Sequence, residues 1–185
     1  MDWDDQLFAL LDDLEHQAEA LYAADRAGEL ADRSRSEYAA ISLASRLMAS
    51  IGHDVAFDVR GIGRMTGVLQ RVGSDWCLVH GPAQDWLVRL PAVLAVEGVS
   101  ERSVPEVAWS PVARLGLASA LRRLADAGER CLVHSVDGDS REVVIGRVGR
   151  DFVEATTGEG RSVLLPLDGM AAVQSRGEDA PGPAR

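Results

Sequence analysis

The sequence predicts an α+β chain: an N-terminal helical segment followed by two tandem, small, five-stranded β-barrels, each preceded by a helix. Three observations carry that reading. Apolar residues recur at three- and four-residue steps up to Ile51, then alternate from Asp54 onward. The runs after Asp54 are short and separated by tight glycine-containing turns, where a βαβ sheet would need helices. The pattern of one helix and five strands then occurs a second time about 75 residues later, with matching residues.

Residues 3–26 read as a helix, with Leu7, Leu10, Leu11, Leu14, Ala18, Leu21 and Ala24 as its stripe. Asp2, Asp4 and Asp5 stand at its start, where the helix dipole favours negative charge. Beyond Gly28 a second helical stretch carries Leu30, Tyr38, Ile41, Leu47 and Met48 and ends near Gly52. Five strands are expected next: Val55–Val59, Met65–Val72, Trp76–Val79, Trp86–Leu90 and Val93–Val96, with Pro91 ending the fourth because proline cannot donate to a ladder. Residues 99–110 read as an irregular linker. Ser110 and Pro111 suit the start of a helix over Val112–Ala127, closed by Gly128. Strands over Cys131–Val136, Glu142–Val148, Asp151–Ala155, Val163–Leu165 and Met170–Val173 follow, then a tail rich in Gly, Pro and Ala. The domain plan is therefore an acidic helical segment (1–37), a first helix and barrel (38–98), a linker (99–111), a second helix and barrel (112–175) and a disordered tail (176–185).

The repeat is visible in the residues themselves. Arg71-Val-Gly73-Ser-Asp75-Trp76 matches Arg147-Val-Gly149-Arg-Asp151-Phe152, 76 positions on. Arg89-Leu-Pro91 aligns with Leu164-Leu-Pro166 at 75, and Leu43-Ala-Ser-Arg-Leu47 with Leu117-Ala-Ser-Ala-Leu121 at 74. In the shared turn Gly73 and Gly149 are expected at positive φ. Asp75 and Asp151 are expected to cap turn amides, and Trp76 and Phe152 to enter the core.

The run Gly67-Val-Leu69-x-x-Val72-Gly73-x-Asp75-Trp76 resembles the first half of the Sm motif, and the resemblance covers about residues 40–98 and 112–175. It implies Sm-like, SH3-like barrels whose strand edges pair with neighbours. The layout as a whole resembles a family of uncharacterised actinobacterial proteins with an acidic helical N-terminus and tandem barrels. The RNA pocket of Sm-like proteins does not carry over. The positions after Asp75 are Trp76, Cys77 and Leu78, those after Asp151 are Phe152, Val153 and Glu154, and neither set offers the asparagine of that pattern.

Charge divides the chain. It has 185 residues and a net charge of −10, and every one of its 19 basic residues is arginine. Residues 1–37 hold eleven acids and three bases; the remainder holds 18 acids and 16 bases and is nearly neutral. A protein that neutralises many phosphates is basic, so nucleic acid depends here on a local cluster. The candidate contacts are Arg60, Arg64, Arg71, Arg147 and Arg150.

Chemistry is sparse. His16, His53, His80 and His134 are scattered, Cys77 and Cys131 lack C-x-x-C spacing, and no zincin, nucleophile-elbow or Walker A pattern occurs. The sequence offers no catalytic residue, no metal ligand set and no cofactor motif. It has no apolar run long enough for a membrane span and no basic leader. The expected function is a non-enzymatic cytoplasmic scaffold or adaptor, acting through barrel edges and the acidic N-terminal helix, with a protein partner or a second copy of itself. RNA binding is the alternative, and a small-ligand pocket between the repeats a third option.

Overall fold

The computed structural model describes residues 32–176 and, before them, residues 16, 17, 19, 22, 26 and 29. Met1–Ile41 and Ser42–Arg185 are separate compact units, each described by itself. In the first unit residues 32–39 form helix α1, and the six earlier described residues are also helical. Arg33–Glu37 and Arg35–Asp32 pair along its exposed surface. The rest of the helix expected over 3–26 lies outside the described residues, as does the tail from residue 177.

In the second unit the helical stretch expected to run unbroken to Met48 restarts instead. Helix α2 spans Leu43–Met48, and Ser42 caps it by accepting a hydrogen bond from the Ser45 amide. A serine side chain that satisfies an amide two to three residues on favours a new start over continuation. Strands β1 (Asp54–Val59), β2 (Gly63–Val72), β3 (Trp76–His80), β4 (Gln84–Arg89) and β5 (Val93–Glu97) follow. Helix α3 (Leu117–Ala127) leads to β6 (Arg130–Ser135), β7 (Ser140–Val148), β8 (Phe152–Thr157), β9 (Ser162–Pro166) and β10 (Met170–Arg176). Gly128, in the left-handed conformation, ends α3 as expected. Ser110 and Pro111 start only a turn, from which Ala113 bonds back to Ser110, and the helix proper waits until Leu117. The linker is not loose. Val104 donates to the Ser45 carbonyl, and Trp109 is buried with its indole N–H on the Val104 carbonyl at 2.9 Å.

The two separate closed barrels expected from the sequence are not formed. All ten strands make one open antiparallel sheet in the order β5-β1-β2-β3-β4-β10-β6-β7-β8-β9. The cause lies after β4, where a 3-10 turn at Leu90–Ala92 carries the chain across the sheet to β1. β5 therefore never returns to β4. The outer edge of β4 is paired by β10 from the other half, with Val88 opposite Ala172, Leu87 opposite Val173 and Trp86 opposite Gln174.

The duplication is nonetheless written into the backbone. Each half runs in the same strand order, 5-1-2-3-4 and 10-6-7-8-9. Gly73 bonds to the Trp76 carbonyl at 2.8 Å and Gly149 to that of Phe152 at 2.9 Å. Leu90 bonds to Asp75 and Leu167 to Asp151, both at 2.8 Å. The second strand of each half slips register at the same place, Leu69/Arg71 and Ile145/Arg147. One alignment changes: Arg89 pairs with Trp76 as Pro166 pairs with Phe152, so the offset at β4 and β9 is 77, not 75. The longer β8–β9 loop supplies the difference.

Two apolar cores result, and each borrows from the other half. Leu47, Phe57, Leu69, Val79 and Val88 centre the first, which also takes Ala171 and Ala172 from β10. Leu117, Leu121, Val133, Ile145 and Val153 centre the second, which takes Leu87 from β4.

Candidate interaction surfaces

The junction between the halves is built by the turn motif. Asp75 does not cap its own turn. Its Oδ1 accepts the Leu117 amide of α3 at 2.7 Å, 42 residues away. The N-cap residue there is Gly116, which has no side chain to do it. Trp76 donates its indole N–H to the Leu115 carbonyl at 2.9 Å. Gly73 and Gly149 are not at positive φ, contrary to expectation. They are needed for space: a Cβ at Gly73 would run into the Trp76 indole, and one at Gly149 into the Phe152 ring. Each aromatic folds back over its glycine.

The outward surface of β3 and β4, carrying Asp75, Trp76 and Leu87, is thus covered by α3 and β10. Its copy on β8 and β9 carries Asp151, Phe152 and Leu164, and nothing among the described residues covers it. Leu87 is 6% exposed; Leu164, its counterpart, is 61% exposed. The complementary surface shows the same contrast, since Leu117 of α3 is 3% exposed and its counterpart Leu43 of α2 is 40% exposed. Among the described residues the sheet ends at β5, with Leu94 exposed, and at β9, with Leu164 exposed. Sequence reasoning placed Leu164 and Leu43 in the repeat but marked neither of them, nor Leu94, as an interaction residue. A signal existed: Val163-Leu164-Leu165 is apolar on both faces, as in β4, whereas a strand left at an edge is expected to carry charge or to alternate.

The arginines offered as nucleic-acid contacts are spread. Arg64 and Arg71 lie at opposite ends of β2, Arg60 in the turn before it, and Arg147 and Arg150 about the β7–β8 turn, the copy of the turn that follows Arg71. Two are held by carboxylates. Arg64 makes a two-pronged contact with Glu97, at 3.2 and 2.7 Å, with Asp58 at 3.9 Å. That contact holds the guanidinium pKa above its ordinary value and the Glu97 carboxyl below its own. Arg147 donates to Glu154 at 3.0 and 2.7 Å. Its counterpart Arg71 has Leu78 where Glu154 would be. Arg60, Arg71 and Arg150 have no ion-pair partner among the described residues.

Two of the histidines are engaged locally. His80 Nδ1 meets Asp85 at 2.6 Å, while His134 Nε2 meets Gln174 at 3.0 Å beside the Trp86 ring. Cys77 and Cys131 are free thiols, and burial pushes them up to about 12 and about 11, away from thiolate character. No group of three His, Cys, Asp or Glu residues among those described is arranged to hold a metal ion. A narrow cleft of about 190 Å³ lies where the halves meet, walled by Trp76, Leu78, Leu87, Leu124 and Val173. No helix among the described residues is long and apolar enough to cross a membrane. No protein-family model matches the chain, and no curated protein matches it.

Proposed function

We propose that the protein is a non-enzymatic cytoplasmic scaffold or adaptor that works through the free edges of its sheet and its acidic N-terminal segment. One observation carries this reading: the surface that receives α3 and β10 inside the chain is present a second time on β8 and β9, where nothing among the described residues covers it. The elements equivalent to α3 and β10 are α2 and β5, whose outward leucines are also uncovered. A second copy would add its β5 to β9 in the register of the internal junction, placing Ala95 opposite Leu165 and Val96 opposite Leu164. Such a contact is head to tail, because each copy uses a different edge. The acidic segment, net −8 over residues 1–37, is suited to a basic protein partner. Two buried, unpaired thiols agree with a reducing compartment.

Sedimentation of the full chain tests the edge reading. The expected result is concentration-dependent association that Leu164→Lys abolishes while the fold is kept. A chain that stays monomeric at about 100 μM, where even weak edge contacts populate, or a Leu164→Lys variant that associates equally, overturns it. The second reading, RNA binding, draws on Arg60, Arg71 and Arg150, which lack carboxylate partners among the described residues. Recovery of RNA with steep salt dependence and nuclease-sensitive partners would favour it over the adaptor.

A further inference from the structure

A long groove of about 560 Å³, lined mainly by apolar atoms, crosses one side of the first half. The start of β1, the middle of β2 and the ends of β3 and β5 wall it, with Asp54, Thr66 and Gly98 among its residues. The second half has the same groove at equivalent residues, but there it is divided into pieces of about 250 and 170 Å³. The divider is an ion pair. Arg130 and Glu142 line both pieces, and Arg130 Nη1 stands 3.7 Å from Glu142 Oε1.

The repeat offset turns Arg130 into Asp54 and Glu142 into Thr66. The ladders agree, since Asp54 pairs with Val68 as Arg130 pairs with Val144. The first groove therefore lacks the guanidinium that occupies its twin, and holds a carboxylate instead. The side chains of Glu97 and His80 at this groove are already engaged, Glu97 by Arg64 and His80 by Asp85. Asp54 is exposed and has no ion pair among the described residues.

We infer that the first-half groove is a receptor for a guanidinium group, supplied by an arginine in an extended segment of a basic partner protein. In the second half a guanidinium, that of Arg130, lies along this groove beside Glu142. The first half offers the same walls, an open volume and a free carboxylate. Guanidinium fits better than ammonium because it is planar, weakly hydrated and stacks on apolar walls while pairing with a carboxylate. This site does not require edge pairing, and the test is run on wild-type and Leu164→Lys chains so that the two ideas fail separately.

The experiment titrates the ¹⁵N-labelled full chain with acetyl-Gly-Gly-Arg-Gly-Gly-amide and with its citrulline counterpart, which keeps the shape and loses the charge. The amides of Gly67, Gly81 and Gly98 line the groove and report on it. The expected result is saturable movement of these signals by the arginine peptide, about fivefold weaker with citrulline, as loss of one exposed ion pair implies. The double variant Asp54→Arg/Thr66→Glu installs the second half's plug and should abolish the response without lowering the melting temperature. The reverse pair, Arg130→Asp/Glu142→Thr, should bring a response to Gly158 and Gly160. Equal binding of the citrulline peptide, persistence of the response in the plugged variant, or unmoved glycine amides at 10 mM peptide would each overturn the proposal.

Discussion

The outward surfaces of β3–β4 and β8–β9 descend from the same pattern and meet different fates. On the first, Leu87 is sealed by Val173 and the second core; on the second, Leu164 stands in the open. The sequence motifs are alike at both places, so burial here is decided by which strand arrives alongside, not by the motif.

Four experiments break or sharpen this contrast. The largest effect is expected from paired truncation. Leu87→Ala should cost about 2–5 kcal/mol in urea unfolding, as for a leucine removed from a packed site. Leu164→Ala should leave the monomer's stability within about 0.5 kcal/mol while weakening association. Equal costs would mean that the two surfaces are not differently covered. Next comes the cap. Asp75→Ala removes the side-chain acceptor of the Leu117 amide at the α3 start and should cost about 1 kcal/mol, whereas Asp151→Ala should cost nothing measurable in the monomer.

A smaller, pH-dependent effect falls on Cys77. Burial raises its folded pKa from 9.0 to about 12, so the neutral thiol belongs to the folded state and the thiolate is favoured on unfolding. Its contribution is complete below pH 9 and is lost as pH rises toward 12. Alkaline melts of Cys77→Val should accordingly fall less steeply above pH 9 than those of the wild type. Equal slopes would show that the thiol is not the group responsible. The smallest effect belongs to Arg64→Ala, where an exposed pair with Glu97 is lost and the thermal midpoint should not move.

The halves were legible because a turn motif is local: Gly73, Asp75 and Trp76 repeat within a few residues of one another. The pairing of the halves was not. Whether β4 receives β5 or β10 depends on where a 3-10 turn sends the chain, and no strand pattern encodes that. The residue types were read correctly at the glycines but for the wrong reason, since crowding by Trp76 and Phe152 requires them and backbone sign does not. Asp75 was read as a turn cap because its near neighbours are all a sequence offers; its true partner is an amide 42 residues on. Two members of the arginine set, Arg64 and Arg147, are held by carboxylates that other strands bring alongside, Glu97 of β5 and Glu154 of β8, and no local pattern shows that. The grooves were invisible until the repeat offset could be applied to walls contributed by four strands at once.

The passage of β10 between the halves has a consequence in time. Val88 and its partner Ala172 are 84 positions apart. At synthesis rates of about 5–20 residues per second, β4 exists for several seconds before the strand that covers it is made. During that interval the emerging first half presents an unpaired edge and an uncovered Leu87. That is the period in which a newborn chain is most open to pairing with a neighbour on the same messenger, or to capture by a chaperone.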